Sequence, residues 1–187
     1  MGFTRAQLEL YRDAGVPDLI GEDCRLLFVG INPGLWTAAT QTHFCHPSNR
    51  FYPALKAAGL IDFEVDRDGG MTDRQRDDFV GTGMGITNLV ARATIRASEL
   101  SRAELVAGGR RLGQRVATVG PAVVAIAGIT AYRSAFGKTA VSPGPQPDDL
   151  AGARMWVVPN PSGLNAHETI ASLADWYRRV ADAAGVG

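Results

Sequence analysis

Three short runs of consecutive apolar residues bound what this chain can become. They are LLFV (Leu26–Val29), VVAIA after Pro121, and MWVV ahead of Pro159. Each is four or five residues long, too short for a core helix but suited to a strand buried on both faces. The segments between them have helical spacing. NRFYPALKAAGL carries Phe51 and Leu55 one turn apart and stops at Gly59. Ser101 stands three residues before Glu104, a capping box that opens the helix RAELVAGGRRLGQRVATV. Ala131 to Phe136 predicts a short helix, and ETIASLADWYRRVADAAG a long amphipathic one. Strands alternating with helices predict an α/β fold: a three-layer α/β/α sandwich around a mostly parallel central sheet. Residues 4–14 read as an amphipathic helix, GTGMGITNLV as a glycine-rich structured turn, and SPGPQPDD, with three prolines in eight residues, as a surface loop. No repeat and no linker divides the chain, so a single domain is expected over residues 1–187, with the first helix outside its core.

Composition narrows the function classes. With 187 residues and 45% hydrophobic content, one domain can bury a proper core. No apolar run reaches membrane-spanning length, and the N-terminus lacks the apolar stretch of a secretory signal. Two cysteines, Cys24 and Cys45, are too few for a disulfide framework or a zinc ribbon, so a reducing, cytoplasmic location is expected. Formal net charge is zero, yet the basic residues are 17 Arg against 2 Lys. Six Arg face two Glu between Asn88 and Arg115. A planar guanidinium fork suits phosphate, and a base-composition bias toward Arg accounts for the same count equally well.

Two strand ends carry unusual turns, at the edge of the sheet where α/β proteins place their sites. The first is VGINPGL. Gly30 and Gly34 allow close approach or unusual backbone angles, and Pro33 fixes itself and restricts Asn32 to extended geometry. The product is a stiff platform for one carboxamide, which can hold a water but is not a strong base; the alternative on this stretch alone is an asparagine that merely closes the turn through its own backbone. The second is VVPNPSGLN, whose tip presents Leu164 between Gly163 and Asn165. An apolar residue there either tucks into the core or serves as a wedge of the kind DNA-bending proteins insert between base pairs.

Taken together, VGINPGL, FCHPSNRFY, GMGITNLVARAT, SRAELVAGGRRL and VVPNPSGLN, in that order from Leu26 onward, resemble the mismatch-specific uracil-DNA glycosylases, which are related to the thymine-DNA glycosylases. The resemblance implies a monofunctional enzyme that excises uracil, with thymine or ethenocytosine as further bases, from mismatched DNA at the start of base excision repair. Asn32 matches the catalytic asparagine that positions water. Gly30, Ile31, Pro33, Phe44, Asn88 and Asn160 match the base pocket, with Phe44 stacking on the extruded base. Gly163, Leu164 and Asn165 match the wedge. The family's wedge often ends in Ser followed by Arg, whereas Asn165 and Ala166 stand here, and Asn88 occupies a position where some relatives have Lys. The wider superfamily often has Asp in the first motif and His in the last; this chain has Asn32 and Asn160. The implied partner is double-stranded DNA containing mismatched uracil or thymine, met by a monomer on cytoplasmic nucleoid DNA without cofactor or metal. A non-catalytic lesion-binding protein of the same fold is the alternative, and a small-molecule enzyme on a doubly wound sheet a further one.

The remaining candidates read more plainly. His43, His46 and His167 lack the spacing of a metal site, and His46 is expected to order the loop behind the pocket while Asn49 caps the next helix. AGITAY lacks a phosphate-loop pattern. Trp156, Trp176 and Tyr52 read as core, and Ser162 has no His partner by motif.

Overall fold

A computed structural model describes residues 2–187. Four parallel strands, β1 (Leu26–Gly30), β2 (Met84–Asn88), β3 (Val123–Ala127) and β5 (Ala153–Val158), form the sheet with an antiparallel edge strand, β4 (Gly144–Leu150). Their order is β2-β1-β3-β5-β4. The continuous apolar runs alternate across the sheet, as strand geometry requires. Leu26, Phe28, Val123, Ala125 and Val158 face one layer of helices: α3 (Phe51–Ala57), α4 (Asp73–Gly81) and α7 (Ile170–Ala184). Leu27, Val29, Val124, Ile126, Met155 and Val157 face the other: α5 (Arg102–Val119) and α6 (Ile129–Phe136). The expected three-layer sandwich is therefore what forms. In the first layer Phe28 meets Phe51 and Tyr177 edge-on, with ring centroids 5.2 and 5.3 Å apart, the arrangement aromatic quadrupoles favour. Two short helices, α1 (Arg5–Glu9) and α2 (Leu35–Thr40), share a small cluster in which Val16, Leu35, Ala38 and Ala93 are buried.

Several local expectations give way to tertiary context. GTGMGITNLV is not a turn: Met84–Asn88 pairs residue for residue with Leu26–Gly30. Gly85 is tolerated because it lies against Cys24 Sγ and the Leu19 carbonyl, and Leu19 bridges Ile86 antiparallel. SPGPQPDD is not all loop, because Gly144–Leu150 pairs with β5 at the sheet edge. Proline is admitted there since one side of an edge strand needs no donors, and the register slips between Pro145 and Asp149. The helix expected over residues 4–14 spans only Arg5–Glu9 before turns that reach Asp13 at φ 62°. Trp156 and Trp176 are half-buried rather than core, and the Arg179 guanidinium lies over the Trp176 ring at 4.2 Å.

Strand order places β2 and β3 on opposite sides of β1, so the carboxyl ends of β1 and β3 form the topological switch point, where open α/β sheets open a crevice. The turn after β1 carries Asn32, the turn after β3 begins at Gly128, and the turn after β5 carries Asn160. These turns meet: a Cβ on Gly128 would sit 3.8 Å from the Asn160 side chain and 3.9 Å from Ile31 Cδ1.

Candidate active site

The turn after β1 continues the sheet's pairing in irregular form. Leu89 and Val90 donate to the Gly30 and Ile31 carbonyls at 2.9 and 3.0 Å, and the Thr94 N–H donates to the Pro33 carbonyl at 3.1 Å. Residues 89–94 thus run alongside residues 30–34 and deliver acceptors to Asn32. Asn32 Nδ2 donates to Thr94 Oγ1 at 2.8 Å, to the Arg92 carbonyl at 3.0 Å and to the Pro33 carbonyl at 3.1 Å. Thr94 Oγ1 spends its own hydrogen on the Arg96 carbonyl at 2.9 Å, so toward Asn32 it can only accept. The amide orientation follows: nitrogen inward against three acceptors, Oδ1 left as the atom for a ligand. Asn32 is half-buried, so that oxygen stays within reach of solvent.

Arg92, whose carbonyl takes part, is anchored by its side chain. Its guanidinium donates to Glu104 at 2.6 Å and to Asp13 at 3.0 Å. Arg92 and the Ser101 donors hold the Glu104 carboxyl down at about 2. Arg115, from the same Arg-rich stretch, pairs with Asp18 at 2.6 Å. Part of that stretch is therefore committed to ion pairs within the protein rather than offered to phosphate.

The wall of the crevice is built on Gly30. A Cβ there would fall 2.3 Å from Asn88 Oδ1 and 3.2 Å from Phe44 Cζ, so only glycine lets both side chains close over the strand end. Phe44 adopts φ 56°, a left-handed conformation uncommon for a bulky residue, and stacks on Phe51 at 4.3 Å with 28° between planes. It remains half-exposed. Asn88 is oriented by a histidine that sequence inspection weighed only as a metal ligand. His43 Nε2 donates to the Pro17 carbonyl at 2.8 Å, which leaves Nδ1 to accept from Asn88 Nδ2 at 3.0 Å. Burial holds the His43 pKa below its ordinary value, so the ring is neutral, as this pattern requires. Asn88 Oδ1 is thereby turned toward Gly30. Among the described residues no group of His, Cys, Asp and Glu side chains is placed to hold a metal ion.

The turn after β5 is a closed unit. Asn160 Oδ1 accepts from the Ser162 N–H at 3.0 Å, and the Asn165 N–H donates to the Ser162 carbonyl at 2.9 Å. Asn165 uses both ends of its amide inside the loop, Nδ2 on the Asn160 carbonyl and Oδ1 under the His167 N–H. At its tip Leu164 is 93% exposed, so it is not tucked into the core. The segment His46–Arg50 braces this turn from behind. His46 Nδ1 orders Ser48, Asn49 Oδ1 accepts from the Phe51 N–H although the N-cap of α3 is Arg50 rather than the expected Asn49, and Arg50 reaches into the turn itself. The structure sets Asn88 and Phe44 over Gly30 and brings Ile31 and Asn160 together at Gly128, with Asn32 next to Ile31 and held in part by the Pro33 carbonyl; Asn165, bonded to the Asn160 carbonyl, keeps the Gly163–Asn165 tip beside this group. Thr94, His43 and Arg50 are the contributors that sequence reasoning assigned no such part. Thr94 and Arg50 lay inside quoted motifs and His43 immediately before one, but the partners of all three are far along the chain.

The crevice thus joins an immobilised amide, an aromatic shelf, a polarised acceptor and a projecting apolar tip. A family model described as the uracil DNA glycosylase superfamily matches residues 17–183, a span that includes every one of these groups.

Proposed function

This chain belongs to the uracil DNA glycosylase superfamily, and from that premise we propose that it hydrolyses the N-glycosidic bond of uracil in mismatched duplex DNA. Membership points to excision of uracil from DNA in general; the chemistry and the mismatch preference are read from this chain's own residues. The extruded nucleotide enters the crevice with its base on Phe44. Asn88 Oδ1 accepts the N3–H of uracil; cytosine presents a lone pair there and is turned away. Asn32 Oδ1 accepts a hydrogen from water and aims its oxygen at C1′. The C1′–N1 bond breaks with its electron pair leaving on uracil, which backbone N–H groups at the strand ends stabilise as an anion. The water oxygen then bonds to C1′ and gives its proton to solvent or the departing base. Neither turn supplies a carboxylate or imidazole at the reacting centre, so the reaction leans on a good leaving group.

The mismatch preference is supported by the tip of the second turn. The Gly163 and Leu164 carbonyls accept no hydrogen bond among the described residues. A guanine left without its partner presents two donors on its Watson–Crick edge, and adenine one donor and one acceptor. Two bare carbonyls therefore suit guanine. Extrusion costs a few kcal/mol, less at a mismatch. Burying Leu164 in the vacated stack returns about 1.5–3 kcal/mol. The two are comparable, so the lower cost of extrusion at a mismatch supports a preference for mismatched pairs.

The observation that carries this reading is the Asn32 amide, fixed by three acceptors with its oxygen free at the switch point. A panel of duplexes carrying G:U, A:U, G:T and G:ethenocytosine pairs, and a single strand carrying uracil, tests it. Alkali after incubation breaks the strand wherever a base has been released. Breaks at uracil, fastest for G:U, are expected. No break at uracil in any substrate, with duplex binding intact, assigns the chain instead to lesion binding without turnover.

A further inference from the structure

Leu164 stands almost entirely in solvent, and nothing beneath its own side chain holds it there. Besides the turn's own hydrogen bonds, one residue from a distant segment fastens it to the rest of the protein. Arg50 Nη2 donates to the Ser162 and Asn165 carbonyls, both at 2.6 Å, and Nη1 donates to the Glu168 carbonyl. The Arg50 backbone N–H donates to the Pro161 carbonyl at 2.9 Å. One arginine thus grips four carbonyls that bracket the tip on both sides. A second contact sets its height: a Cβ on Gly163 would fall 2.5 Å from Ser48 Oγ and 2.7 Å from the Ser48 carbonyl, so the turn is pressed onto the backbone two residues before Arg50.

Resting on the reading of this crevice as a base-flipping glycosylase, we propose that Arg50 is a positioning residue that preorganises the wedge. It is not a phosphate contact. Its Nε is buried without a partner among the described residues, both Nη2 hydrogens go to carbonyls, and Nη1 also donates to one. A planar guanidinium spreads its donors over separate nitrogens and so spans the Ser162, Asn165 and Glu168 carbonyls together, whereas an ammonium carries all its donors on one atom. Preorganisation matters because a free turn would have to be ordered at the moment of base extrusion, and that ordering would subtract from the rate. In single-stranded DNA no stack has to be filled, so the demand disappears.

The test uses the full chain with Arg50→Ala and Arg50→Lys. Both are expected to lower single-turnover uracil release from G:U duplex about 10²-fold, the penalty of a roughly 1 Å misplacement, and release from single strands by no more than about threefold. Added to Leu164→Ala, Arg50→Ala should cost nothing further on duplex, because residues acting as one unit are not additive. Hydrogen exchange of residues 162–168 should quicken in both variants while the rest of the chain keeps its protection. Equal losses on duplex and single strand, full additivity with Leu164→Ala, or unchanged exchange would each overturn the proposal. So would a salt dependence of binding shallower by about one phosphate contact. If the wild-type chain releases no uracil from any substrate, the glycosylase reading fails, whereas the exchange measurement still decides whether Arg50 fastens the turn.

Discussion

At the residue scale the account turns on which atom of Asn32 faces outward, and Thr94 decides it. Replacing Thr94 with Val keeps the volume and removes the acceptor, so the amide loses one of its three restraints. We expect Thr94→Val to slow single-turnover uracil release by about tenfold or more, within the range a positioned catalytic group supplies, with duplex affinity unchanged. An unchanged rate would mean that the Arg92 and Pro33 carbonyls suffice to hold the amide. The rigid turn around Asn32 was legible in the sequence from Pro33 between Gly30 and Gly34, while the part proposed for the Asn32 side chain came from the resemblance of the motifs and not from the turn alone. The partner of that side chain was not legible. Thr94 lies 62 residues away, and Arg50 lies 111 to 118 residues from the carbonyls it holds. No local pattern encodes a contact of that separation; it exists only once the sheet has brought strand ends together.

At the scale of elements, hydrophobic pattern predicted β1, β3 and β5 because each carries a continuous apolar run; β1 and β3 are buried on both faces, while in β5 Arg154 is exposed and Trp156 half-buried. The same criterion missed β2 and β4. Gly85 inside β2, with Gly81 and Gly83 just before it, depresses local strand propensity, and the backbone of β1 overrides it by offering a ladder. In β4 the prolines read as loop, and only its edge position makes them compatible with pairing. His43 ties these levels together, joining Asn88 at the end of β2 to the segment at Pro17. Its folded pKa lies below the ordinary 6.5 because burial disfavours the cation. Above 6.5 both folded and unfolded chains carry a neutral imidazole, and its contribution is complete. As pH falls below that value the unfolded chain takes up a proton that the folded chain refuses, so stability declines until the folded imidazole itself protonates. Denaturant titrations below about pH 6.5 should show this single-proton loss approaching about 1.4 kcal/mol per pH unit, flattened by His43→Gln. An identical slope in wild type and variant would remove His43 from the account.

At the scale of the whole molecule, two apolar layers hold a sheet whose strand order opens one crevice, and three turns meet there. Net charge contributes little to this picture. Part of the Arg-rich stretch that the sequence offered as a phosphate face is paired within the protein, Arg92 with Glu104 and Asp13, Arg115 with Asp18. What remains distinctive is a neutral site: an amide for water, a neutral imidazole behind a second amide, and an apolar tip. Such a site works on bonds whose leaving group departs readily, which is why uracil rather than an ordinary purine suits it. The most direct test is single-turnover release of uracil from a G:U duplex by Asn32→Ala, with duplex affinity measured alongside. The account predicts a loss of about 10²- to 10⁴-fold in rate with binding retained. Wild-type cleavage by Asn32→Ala would contradict it.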